Sequence, residues 1–411
     1  MTVATRPAAD WGHAADLDDI AGEVAIVGIG ETAYTNTRES VANPRTPEAI
    51  GAEAAARAIA DAGLEPRDID GLTYSGSFPG FDVAAFHAHF GTDHEIWTSP
   101  WGGGMAWAGT APYLAAQAVR EGRARHVLNV FPVAWASQRS SMTGGPGEVH
   151  AQQSLKQNLE VPFGFFPQPV YFASIMRRHT IEFGTTREQF GAVAVACRRH
   201  ANLTPSAVFH EKALTLDFYM AGEMLADPLC LYDSCPISDG GAAYVTTSIE
   251  RARDMPHAPA VVAAIGEGYA ASGPHWAQQS EFTSTPQVFS APGAFERAGV
   301  APRDVDVLTL YDPFTVVALM QIEDMGFCAK GDAGPFAEAG MLAFDGPSGG
   351  VAYNTHGGLL SHAYVLGIAH VVECVQQLRG TAGAQVEGCE VAVYGGYTGH
   401  MASTLVLTKD R

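Results

Sequence analysis

The run Asn354–Gly367, NTHGGLLSHAYVLG, gathers residue types suited to proton transfer and anion stabilisation. The pair Gly357-Gly358 precedes an apolar series, Val365, Leu366, Ile368, Val371 and Val372, a pattern that predicts a tight loop opening a buried helix. The first turn of a helix leaves backbone N–H groups without intrahelical partners, and the aligned peptide dipoles add partial positive charge. Such a loop favours an anion. His356, His362, His370 and Tyr364 stand in or beside it. A lone histidine is usually structural, but ionisable groups beside a glycine-rich helix start are functional candidates. Leu310-Tyr311-Asp312-Pro313-Phe314-Thr315 places a phenol and a carboxylate at the end of an apolar strand, where Asp312 reads as a cap for the helix VVALMQIEDMG.

Other chemistries are disfavoured. The six cysteines, Cys197, Cys230, Cys235, Cys328, Cys374 and Cys389, form no CxxC pair, so neither a metal site nor a disulfide framework is expected, and Cys230 and Cys235 read as structural. A net charge of −20 argues against nucleic acid or an anionic membrane as partner, while leaving room for a local basic patch. The N-terminus lacks an apolar signal core, and no 18-residue apolar run free of polar residues follows. A soluble, cytoplasmic protein is the expectation.

The elements that would position these groups repeat. With 411 residues, 47% of them hydrophobic, the chain can bury a large core. Residues 1–22 read as a mobile arm. Val24–Gly30 reads as a strand buried on both faces; its GIGETAY tail fails as a dinucleotide fingerprint because Ala33 replaces the third glycine. TPEAIGAEAAARAIADAG predicts a helix with Thr46 as N-cap, Pro47 in the first turn and Gly63 at the C-terminus. The phrase Ala62–Ser75, AGLEPRDIDGLTYS, returns as Ala298–Tyr311, AGVAPRDVDVLTLY. A glycine-rich loop, a helical run and a strand follow each copy, which indicates a duplicated, layered α/β unit with largely parallel strands. The halves are residues 23–255 and 256–411, with an inserted loop domain over about 135–233. In that insertion, the aromatic tract containing Phe165, Phe166 and Tyr171 is either a hydrophobic anchor or an apolar wall for a bulky substrate. Arg177-Arg178 and Arg198-Arg199 read as solvated faces or as partners for cofactor phosphates.

Asn354, Gly357, Gly358 and Gly367 fit the last active-site block of thiolases of the sterol-carrier-protein-x type, which reads roughly N-x-x-G-G-x-x-x-x-G-H-P-x-G. SPWGGGMAWAG resembles the thiolase nucleophile block, SDGGAA at 238–243 its mid-chain signature, and VAVYGGYTGH, with Gly396 and His400, its C-terminal block. The resemblance covers about residues 24–410 and implies a thiolase-like α/β/α/β/α core. It also implies departures: Met105 stands at the nucleophilic cysteine, Tyr364 at the catalytic histidine, Tyr311 at the Asn or His of the [NH]-[DE]-x-F block, and no C-terminal cysteine is present. The chain is similar in this to the steroid side-chain retro-aldolases of lipid-transfer-protein type.

That resemblance implies Tyr311 and Tyr364 as catalytic, with His356, His400, Gly357, Gly358 and Gly396 supporting them or an oxyanion. Met105, Phe165, Phe166 and Tyr171 would line the substrate pocket. The implied reaction is retro-aldol cleavage of a β-hydroxyacyl-CoA thioester, a 17-hydroxysteroid side chain giving a 17-ketosteroid and a short acyl-CoA such as propionyl-CoA. No cofactor would be bound, coenzyme A being part of the substrate. The implied assembly is a homodimer joined by a small zinc-ribbon/OB-fold subunit into a heterotetramer. A phenol with an ordinary pKa near 10 is only about 0.1% ionised at neutral pH. Lowering it by about 3 units needs roughly 4 kcal/mol, part of which the helix starts, His356 or His400 would supply. Two other readings remain open: a thiolase or acyltransferase using another residue, and a non-catalytic lipid-binding scaffold.

Overall fold

The structure, a computed structural model, describes residues 10–78, 80–138, 158, 160–165, 167–272 and 278–410. The first strand, Val24–Glu31, and the helix Pro47–Asp61 set the pattern. Thr46 caps that helix, its hydroxyl accepting from the Ala49 N–H at 3.2 Å, and Gly63 leaves it at φ +69°. Gly28 and Gly30 let the helix lie directly on the strand: a Cβ there would stand 2.3 and 2.4 Å from the Ala58 and Ala54 carbonyl oxygens. Gly266 and Gly268 do the same under the helix Gln287–Ala298. The spacing that resembles a nucleotide motif is therefore a packing device.

The main sheet runs Ala352–Tyr353, Val307–Leu310, Val391–Tyr397, Met401–Lys409, Ala260–Ala270, Val24–Glu31, Ser238–Ser248, His126–Ala134, Gly71–Thr73, Trp97–Ser99. Read outward from the middle, the two sets of five repeat each other in order. In each set the outer strands are parallel and the inner ones antiparallel. The repeated phrases take the same shape, a 3-10 turn (Pro66–Asp68, Pro302–Asp304) leading into a strand.

The helices Ala106–Arg120 and Ile368–Arg379 touch strands of both sets and each other, and so lie between them. Ile368–Val375 is buried without a break, which explains its lack of a polar face. The layered α/β order expected from the alternation is present, with two differences. The strands are not largely parallel, because the inner strands of both sets pair antiparallel. The two sets form a continuous sheet, because Ile26 pairs with Ala260 and Ala25 with Val261. The N-terminal arm is also partly structured: Gly12–Ala14 pairs with Gly268–Ala270, and Trp11 packs edge-on against Phe289 at 4.8 Å. Residues 1–9 lie outside the described set.

The helices Gln168–Phe183 and Arg187–Ala201 pack on Thr315–Asp324. Beneath them is a charged cluster. Lys330 Nζ lies 3.1 Å from both Glu323 and Asp324, which are fully buried, and donates to the Thr283 carbonyl. Burial would raise the Glu323 carboxyl, but His179 and Lys330 outweigh it and hold it below the usual range. Lys330→Met leaves buried carboxylates short of a cation and should destabilise the protein by about 3–5 kcal/mol, read as a fall in urea midpoint at constant slope. A change below about 1 kcal/mol, the size of a surface pair, would show that the cluster is solvated. No helix among the described residues is long and apolar enough to cross a membrane.

Candidate active site

Tyr311 directly follows the strand Val307–Leu310, and its N–H continues the ladder to the Gly395 carbonyl at 2.9 Å. Tyr364 lies in an irregular segment between the short helix Gly358–Ser361 and the helix Ile368–Arg379. The continuous helix expected from His362 does not form, because Leu366 (φ +50°) and Gly367 (φ +82°) turn the backbone left-handed. That break frees Tyr364 from a helical face. Its N–H donates to the Ser238 hydroxyl at 2.7 Å. The two side chains come together, close enough for the Tyr311 hydroxyl to favour ionisation of Tyr364.

The first half supplies the opposite wall. Met105 caps the helix Ala106–Arg120, its N–H bonds to the Leu366 carbonyl, and its own carbonyl accepts from the Tyr394 hydroxyl at 2.8 Å. The starts of the two central helices thus converge beside the phenols. Gly396 is needed for this approach, since a Cβ there would stand 2.6 Å from the Ala106 Cα. Among the described residues, the non-glycine positions with positive φ are Met105 (+54°), Asn354 (+43°) and Leu366 (+50°). Each is sterically disfavoured by about 1–3 kcal/mol. They are held in place: Met105 and Leu366 bond each other, while the Asn354 amide brackets Leu310, accepting from its N–H at 2.8 Å and donating to its carbonyl at 3.1 Å. Strain gathered in this way is a mark of a functional centre.

The electrostatics differ from expectation. Burial raises both phenols, Tyr311 well above its ordinary value, and no imidazole lowers either. His356 is buried with ring neighbours His370 and His362 at 4.5 and 4.9 Å, and burial keeps it neutral. His400 sits in the turn joining the last two strands, its carbonyl on the Ala270 N–H. The neighbouring Tyr311 hydroxyl is what favours Tyr364 phenolate.

Asp312 does not cap the following helix. It points the other way, accepting from the Leu359 N–H at 2.7 Å and from His370 Nε2 at 3.2 Å. Gly358 is required opposite it, because a Cβ would stand 2.3 Å from the carboxylate. Gly357, at φ +110°, caps the short helix. Cys235 is at the site as well, close enough for its sulfur to perturb both phenols. Burial raises its own thiol, so it is a wall and not a nucleophile. Trp135, whose ring lies 6.4 Å from that of Tyr364, completes the wall.

Cys235 opens onto a cleft of about 570 Å³ shared with Arg198, Phe209, Lys212, Leu360 and Ser361. Arg198 is buried, donates to the Ser361 hydroxyl at 3.0 Å and the Lys212 carbonyl at 3.2 Å, and lies 4.2 Å over the Phe209 ring. Among the described residues no carboxylate pairs with it, whereas Arg177, Arg178 and Arg199 bond to Asp227, Glu182 and Asp345 at the surface. One of the four flagged arginines is therefore available to an anion. The aromatic tract behaves differently from a pocket wall. Tyr171 is fully buried with its hydroxyl toward Glu160, and Phe165 packs edge-on against it at 4.5 Å, so both support the core; Phe166 lies outside the described residues. No group of His, Cys, Asp and Glu among the described residues is arranged to hold a metal ion.

Residues 268–409 match the model of the thiolase C-terminal domain-like family. Over 95% of its length the chain is 35% identical to a steroid side-chain-cleaving aldolase of Thermomonospora curvata, covering 99% of that protein. It is 33% identical to the 17-hydroxy-3-oxo-4-pregnene-20-carboxyl-CoA lyase of Mycobacterium tuberculosis, covering 94% of this chain and all of that one. Among solved structures it is similar to an Ltp2-ChsH2(DUF35) aldolase, with a TM-score of 0.84 at 33% identity over 96% of this chain and 99% of that chain. With the fold, the phenol pair and full-length identity in agreement, the chain belongs to the thiolase-fold family of steroid side-chain-cleaving aldolases.

Proposed function

We propose that the protein is a lyase that cleaves the Cα–Cβ bond of a 17-hydroxysteroid side-chain CoA thioester by a retro-aldol reaction, giving a 17-ketosteroid and a short acyl-CoA such as propionyl-CoA. The observation that carries this reading is the phenol pair facing two helix starts where Met105 offers no thiolate. Tyr364, whose phenolate the Tyr311 hydroxyl favours, is the base and takes the proton of the β-hydroxyl. The electron pair left on the oxygen forms the ketone C=O, the Cα–Cβ bond breaks, and its electron pair becomes the thioester enolate. The dipoles of the two central helices, which start at Met105 and Gly367, favour that charge. Tyr311 is the acid that leads to protonation of the enolate carbon. Arg198 and Lys212 suit the phosphates of the CoA moiety in the cleft that reaches Cys235.

The base must be ionised and burial opposes this, so kcat/KM should rise with pH throughout the neutral and mildly alkaline range, without a falling limb near pH 7. A bell centred there would point to an imidazole. Mass spectrometry of products tests the reaction class: the ketone and the shortened acyl-CoA are expected, with the intact protein mass unchanged during turnover. An acyl group on any cysteine, forming at the rate of turnover, would instead establish the acyltransferase alternative.

The assembly proposed is a homodimer carrying a small zinc-ribbon/OB-fold subunit. Its supports are the DUF35 partner named with the similar aldolase structure and a sheet edge, Trp97–Ser99, flanked by Trp101 at 63% exposure. An open strand edge beside a large exposed ring is a surface that pairing would satisfy.

A further inference from the structure

Asp312 is buried, adjoins Tyr311 in sequence and has no part in the chemistry above. Its carboxylate gathers donors from three elements: the Leu359 N–H at 2.7 Å, His370 Nε2 at 3.2 Å and Cys197 Sγ at 3.7 Å. Leu359 and His370 stand on either side of Tyr364 in the chain, five residues before it and six after. A single carboxylate therefore ties down both ends of the irregular segment that presents Tyr364, and it does so from the residue next to Tyr311. We propose that Asp312 is a positioning residue: its clasp on Leu359 and His370 sets the separation and orientation of the two phenols, and so the coupling between them. This rests on the retro-aldol reading for its consequence in turnover, though not for its consequence in geometry.

The chemistry of the clasp explains the choice of residue. An ionised carboxylate is an acceptor at both oxygens and suits a ring of donors; asparagine would turn an N–H₂ toward one of them. Glutamate would push its head group into the space that Gly358 keeps clear, where even a Cβ would lie 2.3 Å from the carboxylate. Charge-assisted hydrogen bonds are about twice as strong as neutral ones, which suits a clasp holding a segment with a strained residue, Leu366, at φ +50°.

The test combines kinetics with a spectroscopic readout on the assembled enzyme. Asp312→Asn should lower kcat by about tenfold or more and leave KM within about twofold, the pattern of a lost transition-state interaction. In a Tyr364→Phe background the same substitution should cost little further, because its target has gone. An equal fold-loss in both backgrounds, or a fall in melting temperature with kcat per folded molecule unchanged, would reduce Asp312 to a structural residue and overturn the proposal. If Asp312→Asn does not accumulate as folded protein, His370→Gln opens one side of the clasp, keeps the carboxylate and is judged by the same comparison. Phenolate absorbance, read against the Tyr311→Phe/Tyr364→Phe double variant, isolates the pair without substrate. Breaking the clasp should shift its alkaline titration, and an unshifted curve overturns the proposal. A wild-type enzyme that shows the coupled titration but cleaves no β-hydroxyacyl-CoA would sink the retro-aldol reading and leave the clasp standing.

Discussion

Tyr364→Phe should lower turnover roughly 10²–10⁴-fold, the scale for losing a general acid or base, with Tyr311→Phe falling in the same range. The change removes a hydroxyl and keeps the ring. Tyr364 should keep its place through its backbone bond to Ser238 and the contact with Trp135. Melting temperature and partner binding should hardly move. The two losses should combine to less than their product, because the two neighbouring phenols influence each other and act on one transition state. The variants should also differ in kind. Tyr311→Phe deletes the hydroxyl that favours Tyr364 phenolate, so part of its loss should return at higher pH. Tyr364→Phe should be flat. Near wild-type turnover in either stable variant would remove that residue from the mechanism.

The second large effect is on stability at mildly acidic pH. His200, His356 and His362 are buried and neutral, each pushed down by burial first of all, His362 to about 3 and His200 to about 4. In the unfolded chain each would bind its proton near pH 6.5. Their folded values are lower, so the full contribution holds above that pH and is lost as pH falls toward 4 and 3. At pH 5 the loss is about 2 kcal/mol per imidazole and roughly 6 for the three. Glu31 works the other way. Burial raises its carboxyl to about 7, so it favours the folded state as the solution is acidified. Being only partly buried by area, it offsets less than one histidine. A net loss of about 4 kcal/mol by pH 5 is a large share of the 5–15 typical of a domain. Urea midpoints at pH 7 and pH 5 measure it directly. His362→Gln, which can still reach Ser206, should flatten the profile by about one histidine's share. Equal midpoints at the two pH values would mean that the imidazoles are hydrated.

The duplicated architecture was legible because its signals are local and occur twice. Thr46, Pro47 and Gly63 bound the first helix as capping chemistry requires, and the repeated phrase forms the same turn and strand in both halves. The phenol pair was visible only through the resemblance, since a tyrosine at a strand end is otherwise an ordinary buried aromatic. Three features were misread, each for a physical reason. The helix predicted from His362 begins at Ile368, because apolar periodicity does not reveal that Leu366 is forced to positive φ by its bond to Met105. Asp312 looked like a cap because its donors, Leu359 and His370, are more than 40 residues away in the chain. His356 was expected to lower the phenols, but its ring packs against His362 and His370, and neither phenol is lowered by an imidazole. Cys235 and Trp135 carried no local signal; only the fold brings them to Tyr364.

The narrow seam between strands Val24–Glu31 and Ala260–Ala270 makes the centre a property of docking. Only two residue pairs cross there, with three more where Gly12–Ala14 meets Gly268–Ala270, so each half satisfies most of its sheet bonds by itself. Yet Met105, Trp135 and Ser238 come from one half and Tyr311 and Tyr364 from the other. A polypeptide nicked within residues 253–258, which are largely exposed, would yield two fragments with most of their ladders intact and no competent pair of phenols. Activity would return only on complementation, with the buried helices Ala106–Arg120 and Ile368–Arg379 as the adhesive. The enzyme is in that sense two inert pieces that a short loop keeps at high effective concentration.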